Sequence, residues 1–138
     1  MFFETKLKYS KTLEEGVTKK VTETYLVEAE SVTEAETTIL SEMAAFGEDL
    51  KVSSSKETKY TEIMGTDKDK YFLAKVALVT VDEKSGVEKK SMTSILVNAE
   101  DFDGAYKGLQ EGMKGTMSDW ELSALSETTI LDFFKKKV

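Results

Sequence analysis

The feature that most constrains the fold is an internal repeat with a constant offset of 70 residues. The segment "EGVTKKVTETYLVEAE", which begins at Glu15, aligns without a gap with "SGVEKKSMTSILVNAE", which begins at Ser85. Identical pairs include Gly16/Gly86, Val17/Val87, Lys19/Lys89, Lys20/Lys90, Leu26/Leu96, Val27/Val97, Ala29/Ala99 and Met43/Met113. Chance similarity would not hold one offset for so long, so we interpret the chain as a tandem duplication. Its seam lies near "MGTDKDK", from Met64 to Lys70.

The length of 138 residues suits one compact domain. Neither half alone is large enough to bury much apolar surface. We therefore predict a single domain over residues 1–138, made of two pseudo-symmetric halves, residues 1–64 and residues 70–138.

The first elements of each half read as strands. In "FETKLKY" the apolar residues Phe3, Leu7 and Tyr9 share one face, which predicts a half-buried strand. Its counterpart "YFLAKVALVTV" is apolar on both faces, as in a more central strand. Gly16 and Gly86 are predicted to supply the positive φ of hairpin loops. The second strands, "TETYLVEA" and "MTSILVNA", are rich in β-branched and aromatic residues.

A helix is predicted after the second strand of each half. Ser31 and Glu34 form a capping-box pair, and Asp101 is a good N-cap for the second helix. The apolar stripes are Val32, Ala35, Ile39 and Met43 in the first helix and Phe102, Ala105, Leu109 and Met113 in the second. This spacing of three and four residues is typical of a helix that covers a core. Gly47 and Gly115 stand where C-terminal caps are expected.

One strand-like segment follows each helix, "LKVSSSKETKYTEIM" and "WELSALSETTILDFF". The order β-β-α-β therefore occurs twice. We predict an α+β fold of tandem duplicated β-β-α-β units, with an antiparallel sheet and two helices packed on one face. The sequence leaves open whether the halves share one sheet or form two.

The composition narrows the chemistry. The chain has no Cys and no His, and all 19 basic residues are Lys. It therefore lacks a thiolate nucleophile, the usual zinc ligands, an imidazole base and the planar fork of Arg. We predict a protein that is not an enzyme, with no catalytic residues, no metal and no cofactor. No apolar run approaches the roughly 20 residues that cross a bilayer, so we expect a cytoplasmic protein without a membrane partner.

Three glycines recur at every fourth position of the second helix, Gly104, Gly108 and Gly112. The matching residues of the first helix are Glu34, Thr38 and Glu42. An interior glycine costs a helix roughly 0.5–1 kcal/mol relative to alanine, so a local requirement is indicated. We predict a groove, with Trp120 nearby, that takes a ligand or a second copy of the chain; a homo-oligomer, with a dimer favoured, follows. The alternative is close packing within the chain.

Two lysine pairs follow the hairpin turns, Lys19 with Lys20 and Lys89 with Lys90. They could contact phosphate, and the tail Lys135 to Val138 could add to such a patch. The favoured alternative is solvated charge, because the net charge of −7 opposes binding to a polyanion. Nucleic acid is therefore a less favoured partner than protein.

The segments "TETYLVEAESVTEAE", "DEKSGVEKK" and "EGMKGTMSDWELSALSETTILDFF" resemble the domain of unknown function 4494 family over essentially the whole chain. Members of that family occur in Bacteroidales bacteria and in their tailed phages and mobile elements. The resemblance implies a small intracellular protein encoded by a phage or prophage. It implies no activity and no functional residues.

Two functions remain open. The first is a small non-catalytic binding or interaction protein, in the host cytoplasm if phage encoded. The second is a protein that binds nucleotides or single-stranded nucleic acid through the lysine hairpins and aromatic residues. Trp120, Phe133 and Phe134 would supply the stacking surfaces, although core packing is the favoured interpretation for them.

Overall fold

The computed structural model describes residues 1–136, so Lys137 and Val138 of the predicted basic tail lie outside the described residues. The described chain forms eight strands and two α-helices. In order these are β1 (Phe2–Thr12), β2 (Thr18–Glu28), α1 (Val32–Glu42), β3 (Lys51–Thr58), β4 (Tyr60–Met64), β5 (Lys70–Val81), β6 (Glu88–Ala99), α2 (Phe102–Gly112), β7 (Asp119–Glu127) and β8 (Ile130–Phe134), with a short 3₁₀ helix at Ala44–Phe46. The predicted α+β class is confirmed.

The strands form two four-stranded sheets, with orders β3-β1-β2-β8 and β4-β6-β5-β7. The sequence left open whether the halves share one sheet, and the structure shows that there are two. Each sheet carries one helix, and each contains one parallel pair, β2 with β8 and β4 with β6. The parallel pairs arise after each helix, where the predicted single strand is divided into two strands. The chain leaves one sheet at Thr58 and at Glu127, and the next short strand joins the other sheet.

The chain accordingly divides into two compact units. Unit 1 contains residues 1–58 and the segment that begins at Thr129, and unit 2 is Lys59–Thr128. Each half of the sequence thus contributes its last short strand to the other unit. The predicted halves, residues 1–64 and residues 70–138, differ from the units by these two strands. The prediction of a single domain stays a prediction.

The hairpin glycines show that the repeat is structural. Gly16 has φ of +79° and Gly86 has φ of +69°, each between the first two strands of its half. The Gly16 N–H donates to the carbonyl of Leu13 at 2.9 Å, and the Gly86 N–H donates to that of Asp82 at 2.8 Å. Both glycines therefore occupy the predicted hairpin turn with a positive φ, although the second turn is one residue longer than the first. An L side chain at either position would be strained by the positive φ.

The helix stripes form the two cores. Ala35, Ile39 and Met43 are buried in unit 1, as are Ala105, Leu109 and Met113 in unit 2. In unit 1 they pack with Phe3, Leu7, Tyr9, Tyr25, Val27 and Ala29. In unit 2 they pack with Met64, Phe72, Ala74, Val76, Ile95, Val97 and Ala99. The first residue of each predicted stripe is an exception. Val32 is 43% exposed and Phe102 is 52% exposed, because each is the first residue of its helix and precedes the buried turns.

The N-terminal caps form largely as predicted. The Ser31 hydroxyl accepts the backbone N–H of Glu34 at 3.1 Å, and the Asp101 carboxylate accepts that of Gly104 at 2.7 Å. The Glu34 carboxylate accepts the N–H of Glu30 at 3.3 Å rather than that of the cap residue itself. Both helices therefore satisfy one of their free N-terminal donors with a side chain.

The C-terminal ends of the helices differ. Gly115 follows α2 with φ of +86°, in the left-handed region that favours a glycine cap. Gly47 follows the 3₁₀ helix Ala44–Phe46 and has φ of −174°, an extended conformation that any residue adopts. The prediction of a glycine cap is wrong at both positions: Met113 caps α2 and Gly115 lies in the following turn, which the Thr116 N–H closes on the Met113 carbonyl at 3.1 Å, and a 3₁₀ turn follows α1 before Gly47.

Candidate functional site

The three glycines of α2 lie close to the sheet of their own unit. A Cβ atom on Gly108 would be 3.5 Å from Cγ1 of Val97, and one on Gly112 would be 2.5 Å from Sδ of Met64. Gly104 would also contact its own N-cap side chain. Met64 of β4 therefore makes a close approach at Gly112, which fits the alternative of packing within the chain, whereas Gly108 lies at an ordinary contact distance from β6. A second copy of the protein along this line stays a prediction.

The matching line of α1 meets the C-terminal segment of the chain. The ammonium group of Lys136 lies 2.8 Å from the Glu30 carboxylate and 3.4 Å from that of Glu34. Its backbone N–H donates to Glu28 at 2.9 Å. The hydrogen bond between Glu30 and Lys136 lowers the pKa of the carboxyl and raises the pKa of the ammonium. At Lys136 the interpretation of the tail as a solvated end is therefore wrong.

The aromatic residues singled out from the sequence are mainly packing elements. Trp120 is partly buried against the core of unit 2 and lies opposite Leu78 in the β5–β7 register. Phe133 contacts the ring of Phe2 with centroids 5.9 Å apart. Phe134 packs beside Tyr25 with centroids 5.5 Å apart. These contacts fit the interpretation of core packing.

The two predicted lysine pairs have different surroundings. In unit 2, Nζ of Lys90 lies 3.2 Å from the Glu121 carboxylate. In unit 1, Lys20 lines a groove of about 340 Å³ together with Lys8 and Lys51. The repeat offset matches Lys51 with Glu121. The position that places a carboxylate beside Lys90 in unit 2 therefore carries a lysine in unit 1.

The outer lysines of the two pairs also differ in their neighbours. Lys19 lies directly opposite Lys11 in the β1–β2 register, whereas Lys89 lies opposite Thr80. Like charges at directly opposed positions destabilise a sheet. The Lys11 ammonium lies 3.9 Å from the Glu23 carboxylate, which offsets part of this repulsion.

A cavity in unit 1 has a volume of about 630 Å³. We call it the unit 1 cleft. It is lined by Tyr9, Lys11, Glu23, Tyr25, Glu42, Met43, Phe46, Leu131, Asp132 and Phe134. These residues come from β1, β2, the end of α1, the 3₁₀ helix and β8.

A tyrosine–glutamate–tyrosine cluster forms part of the cleft wall. The hydroxyl groups of Tyr9 and Tyr25 both donate to Oε1 of Glu23, at 2.5 and 2.9 Å. The Glu23 side chain is only 14% exposed. Hydrogen bonds to a charged acceptor are about twice as strong as neutral ones, so these two bonds hold the carboxylate and both rings in place.

The same cluster sets the protonation of the phenols. Burial, and then the hydrogen bond to Glu23, raises the pKa of Tyr9 to about 12. The same causes raise the pKa of Tyr25 well above its ordinary value. Both phenols therefore stay protonated near neutral pH, where they act as hydrogen-bond donors rather than as bases.

The mouth of the cleft is apolar and acidic. Phe46 is 63% exposed and Leu131 is 50% exposed. The carboxylates of Glu42 and Asp132 line the cleft beside them. Together with Glu23, the lining residues carry three carboxylates against the one ammonium of Lys11. The cleft thus combines apolar surface with acidic side chains, of which Glu42 also lines a second groove with Lys135 and Lys136.

Unit 2 lacks the residues that make this cleft. The positions that match Tyr9, Glu23, Tyr25, Glu42 and Phe134 carry Val79, Thr93, Ile95, Gly112 and Met64. Thr93 forms a hydrogen bond with the Thr61 hydroxyl at 2.7 Å, and Met64 lies against Gly112. Because unit 2 has the same architecture without them, the cleft residues are not a requirement of the repeated fold.

Sequence reasoning missed this site, although a signal was present. The offset of 70 already pairs Tyr9 with Val79 and Glu23 with Thr93. At each of these core-facing positions, unit 1 has a polar side chain where unit 2 has an apolar or smaller one. A search for positions where the halves diverge would have found it.

The fold and site define an α+β protein of two helix-covered, four-stranded units, one of which carries an acidic, aromatic cleft. The chain belongs to the family described as Domain of unknown function (DUF4494), which matches residues 1–136. No curated protein and no solved structure matches the chain. Across residues 1–136 there is no helix with the length and apolarity needed to span a membrane.

Proposed function

We propose that the protein is a non-catalytic binding protein whose unit 1 cleft holds part of a partner protein. The observation that carries this proposal is the divergence of the two units. One unit keeps a cavity of about 630 Å³ with exposed aromatic and aliphatic side chains, and at two matching positions of the other unit Met64 packs against Gly112. A cavity of this size is within the range of ligand-binding pockets.

The chemistry of the cleft supports binding rather than catalysis. Glu23 accepts two phenolic hydrogen bonds, and burial with these bonds raises the pKa of Tyr9 to about 12. A general base needs a pKa near the working pH, which these phenols lack. The exposed side chains of Phe46 and Leu131 offer the apolar contact area that interfaces use.

We extend the proposal to the setting that family membership supports, a phage or prophage protein in the cytoplasm of a bacterial host.

A homodimer is part of the same proposal. Phe102 and Tyr106 lie one turn apart on α2 and are both exposed, which supports a contact between copies. Native mass spectrometry of the purified chain tests this part. We expect a dimer mass that is lost in Tyr106→Glu, and a wild-type monomer would contradict it.

The binding proposal can be tested by affinity capture with the tagged full-length chain from the host lysate. The variant Phe46→Ser removes an exposed apolar side chain from the mouth of the cleft. The variant Met117→Ser, at a fully exposed residue of unit 2, is the matched control. We expect Phe46→Ser to lose at least tenfold of the captured partner and Met117→Ser to retain it. Equal capture by both variants would show that the cleft is not the binding site.

A second function is favoured by the lysine groove of unit 1. Lys8, Lys20 and Lys51 line it, and the nearby Asp49 carboxylate already accepts the N–H and hydroxyl of Ser10 at 2.8 and 2.7 Å. This arrangement supports binding of a nucleotide or of single-stranded nucleic acid.

Fluorescence anisotropy with a labelled oligonucleotide tests this function between 50 and 200 mM salt. For single strands, log K falls with log salt by about 0.7 per phosphate contact. We expect Lys20→Glu to reduce both the affinity and the slope, and Lys89→Glu in unit 2 to change neither. Absence of binding at low salt would eliminate this second function.

A further inference from the structure

We infer that the lysine groove of unit 1, lined by Lys8, Lys20 and Lys51, recognises a phosphate monoester group, rather than a base or the internal phosphodiester backbone of a strand. This inference rests on the second proposed function, the binding of a nucleotide or of single-stranded nucleic acid, and adds the chemical group that is recognised. It is carried by the register of the lysines, by an ion pair at the matching place in unit 2 and by the charge balance of the groove.

The three lysines lie on one face of three adjacent strands. Lys8 of β1 is directly opposite Lys51 of β3 and Thr22 of β2. Lys20 lies two residues before Thr22, so its exposed side chain leaves β2 on the same face. Within residues 1–136, Lys8 and Lys51 form no ion pair, although like charges at directly opposed positions destabilise a sheet. A bound anion would relieve this repulsion.

Unit 2 carries an ion pair at the matching place. Nζ of Lys90 on β6 reaches across β5 to lie 3.2 Å from the Glu121 carboxylate on β7. Ala77 of β5, which is directly opposite Glu121, has only a methyl group as its side chain. The lysine at this position of the repeat therefore binds an oxyanion across the middle of three strands.

In unit 1 the same three places carry three cations. Lys20 corresponds to Lys90, and Lys51 takes the position of Glu121. Lys8 stands on the middle strand, where unit 2 has an alanine. Because the flanking side chains of unit 2 meet across the middle strand, those of unit 1 can converge on a ligand at the same point. The ligand thus supplies the anion that a glutamate supplies in unit 2.

The charge of the groove matches a dianion. Its lining sets three ammonium groups against the single carboxylate of Asp49, so two positive charges are left over. Asp49 accepts the hydroxyl and the N–H of Ser10 at 2.7 and 2.8 Å, and these bonds, more than the charge of Lys20, lower the pKa of its carboxyl. A phosphate monoester carries about −1.5 to −2 charges near pH 7 and presents three acceptor oxygens. One such group therefore balances the groove and offers an oxygen to each lysine.

Other ligand groups fit less well. A carboxylate of a partner protein, or an internal phosphodiester, would neutralise only one of the two excess charges. A nucleotide base would need a ring to stack on. Among the described lining residues the only aromatic one is Tyr9, which is 4% exposed and donates its hydroxyl to Glu23. The groove therefore favours recognition of the phosphate without recognition of the base.

The test is a ¹H–¹⁵N NMR titration of the full-length chain with adenosine 5′-monophosphate, adenosine 3′,5′-cyclic monophosphate, ribose 5-phosphate and adenosine. The first two probes share base and sugar and differ in carrying a monoester or a diester. We expect shifts at the groove amides, with affinity for the monoester about fivefold higher, the factor that one further charge provides at ion-pair distance in water. Ribose 5-phosphate should bind as tightly as adenosine 5′-monophosphate, and adenosine should leave the groove unperturbed.

Two variants make the test specific. Lys51→Glu gives unit 1 the charge pattern of unit 2, so the new carboxylate competes with the ligand for Lys20. We expect it to lower affinity for adenosine 5′-monophosphate by about tenfold or more, and to raise Tm without ligand because the repulsion with Lys8 is removed. Lys84→Glu, at an exposed hairpin residue of unit 2, makes the same change in net charge and should alter neither. Equal loss of affinity in both variants would show that binding follows net charge alone and would overturn the inference.

A further arm identifies the source of the phosphate group. It compares tetrathymidylate with and without a 5′-phosphate. Tighter binding of the phosphorylated strand than of adenosine 5′-monophosphate would support the inference and assign the end of a strand, whereas the reverse order would support it and assign a free nucleotide. Equal binding of the two strands would overturn it.

The outcomes separate the inference from the function on which it rests. Equal affinity for the monoester and the cyclic diester would overturn the inference and leave nucleotide binding standing. Binding of adenosine, or failure of ribose 5-phosphate to bind, would overturn it in the same way, because the base would then be recognised. Failure of all four probes to perturb the groove would reject the inference, and the anisotropy experiment with Lys20→Glu would then decide the second function separately.

Discussion

At the scale of single residues, the carboxylate of Glu23 organises the candidate site. It accepts hydrogen bonds from Tyr9 and Tyr25 and lies near Lys11. Thr93 takes its position in the second unit, where the neighbouring positions are apolar. A mostly buried carboxylate is stable in such a place only because donors surround it. The cluster is therefore a unit whose members depend on one another.

The phenols of this cluster predict a pH dependence at the alkaline end. The folded chain raises the pKa of Tyr9 from 10.0 to about 12. Between these values the folded state holds the proton more tightly than the unfolded state does. The stability linked to this pKa, which comes from burial of the neutral phenol and then from its hydrogen bond to Glu23, is thus fully present below pH 10 and is lost as the pH rises toward 12.

A titration of tyrosine absorbance at 295 nm, with denaturant melts from pH 8 to 12, measures this effect. In Glu23→Gln the pKa of Tyr9 should fall but stay above its ordinary value, because burial is the larger cause. Tyr106→Phe, on exposed α2, is the control and should leave the alkaline loss of stability unchanged. An unchanged Tyr9 titration in Glu23→Gln would contradict the role of the hydrogen bond.

The surroundings of two glycines of α2 predict that alanine stabilises the protein more at Gly108 than at Gly112. A methyl group on Gly108 meets only Val97 at an ordinary contact distance of 3.5 Å. Gly108→Ala should therefore raise the free energy of unfolding by about 0.5–1 kcal/mol through helix propensity. Gly112→Ala should gain less, because the Met64 side chain must move from 2.5 Å. Urea melts compare the two variants, and a larger gain for Gly112→Ala would show that the packing on this side is loose.

At the scale of elements, α1 and α2 share a core-facing stripe and differ on the line beside it. Ile39 and Leu109 are both fully buried, so the repeat conserves the face that covers each sheet. The adjacent line ends at Gly112 in α2, where Met64 of β4 packs closely. In α1 it ends at Glu42, and the space is an open cleft. The same helix scaffold thus serves packing in one unit and exposes a site in the other.

The stripe predicts the cost of truncation. Ile39→Ala and Leu109→Ala should each lower the free energy of unfolding by roughly 2–5 kcal/mol, because each leaves a cavity in a closed core. Leu40→Ala, beside Ile39 at a position 37% exposed, is the control and should cost much less. Denaturant melts measure all three. A loss of only a few tenths of a kcal/mol at Ile39 would show that α1 does not seal its sheet.

At the scale of the whole molecule, each half of the sequence contributes its last short strand to the sheet of the other unit. β4 joins the sheet of unit 2 in parallel with β6, and β8 joins that of unit 1 in parallel with β2. Each unit therefore contains chain from both halves of the duplication. Within unit 1, β8 also carries Phe134, which packs on Tyr25 and lines the cleft.

This exchange predicts that a C-terminal truncation acts on unit 1. Removal of the chain from Thr129 onward should raise amide hydrogen exchange at Thr24 to Val27, which pair with β8. The paired amides of β5 and β6 should keep their protection, because both strands belong to unit 2. Hydrogen exchange by NMR or mass spectrometry distinguishes the two regions. Equal loss of protection in both would show that the units unfold as one.

The sequence by itself determined the local structure and its repetition. Turn glycines such as Gly16, caps such as Ser31 and the spacing of Ile39 within its stripe depend on neighbours along the chain. Such preferences are local in origin, so periodicity and turn chemistry predict them. The correspondence of the two halves follows from the same pattern, because equal local signals produce equal elements.

Only the tertiary structure decided the sheet partners and the site. The chain breaks after Thr58, and β4 then joins the other sheet. An edge strand pairs through backbone groups that every residue carries, so its side chains identify its partner only weakly. The cleft brings Tyr9 and Glu23 of the β1–β2 hairpin together with Asp132 of β8, which is distant in sequence. The contribution of β8 depends on its long-range pairing with β2, which periodicity and turn chemistry do not predict.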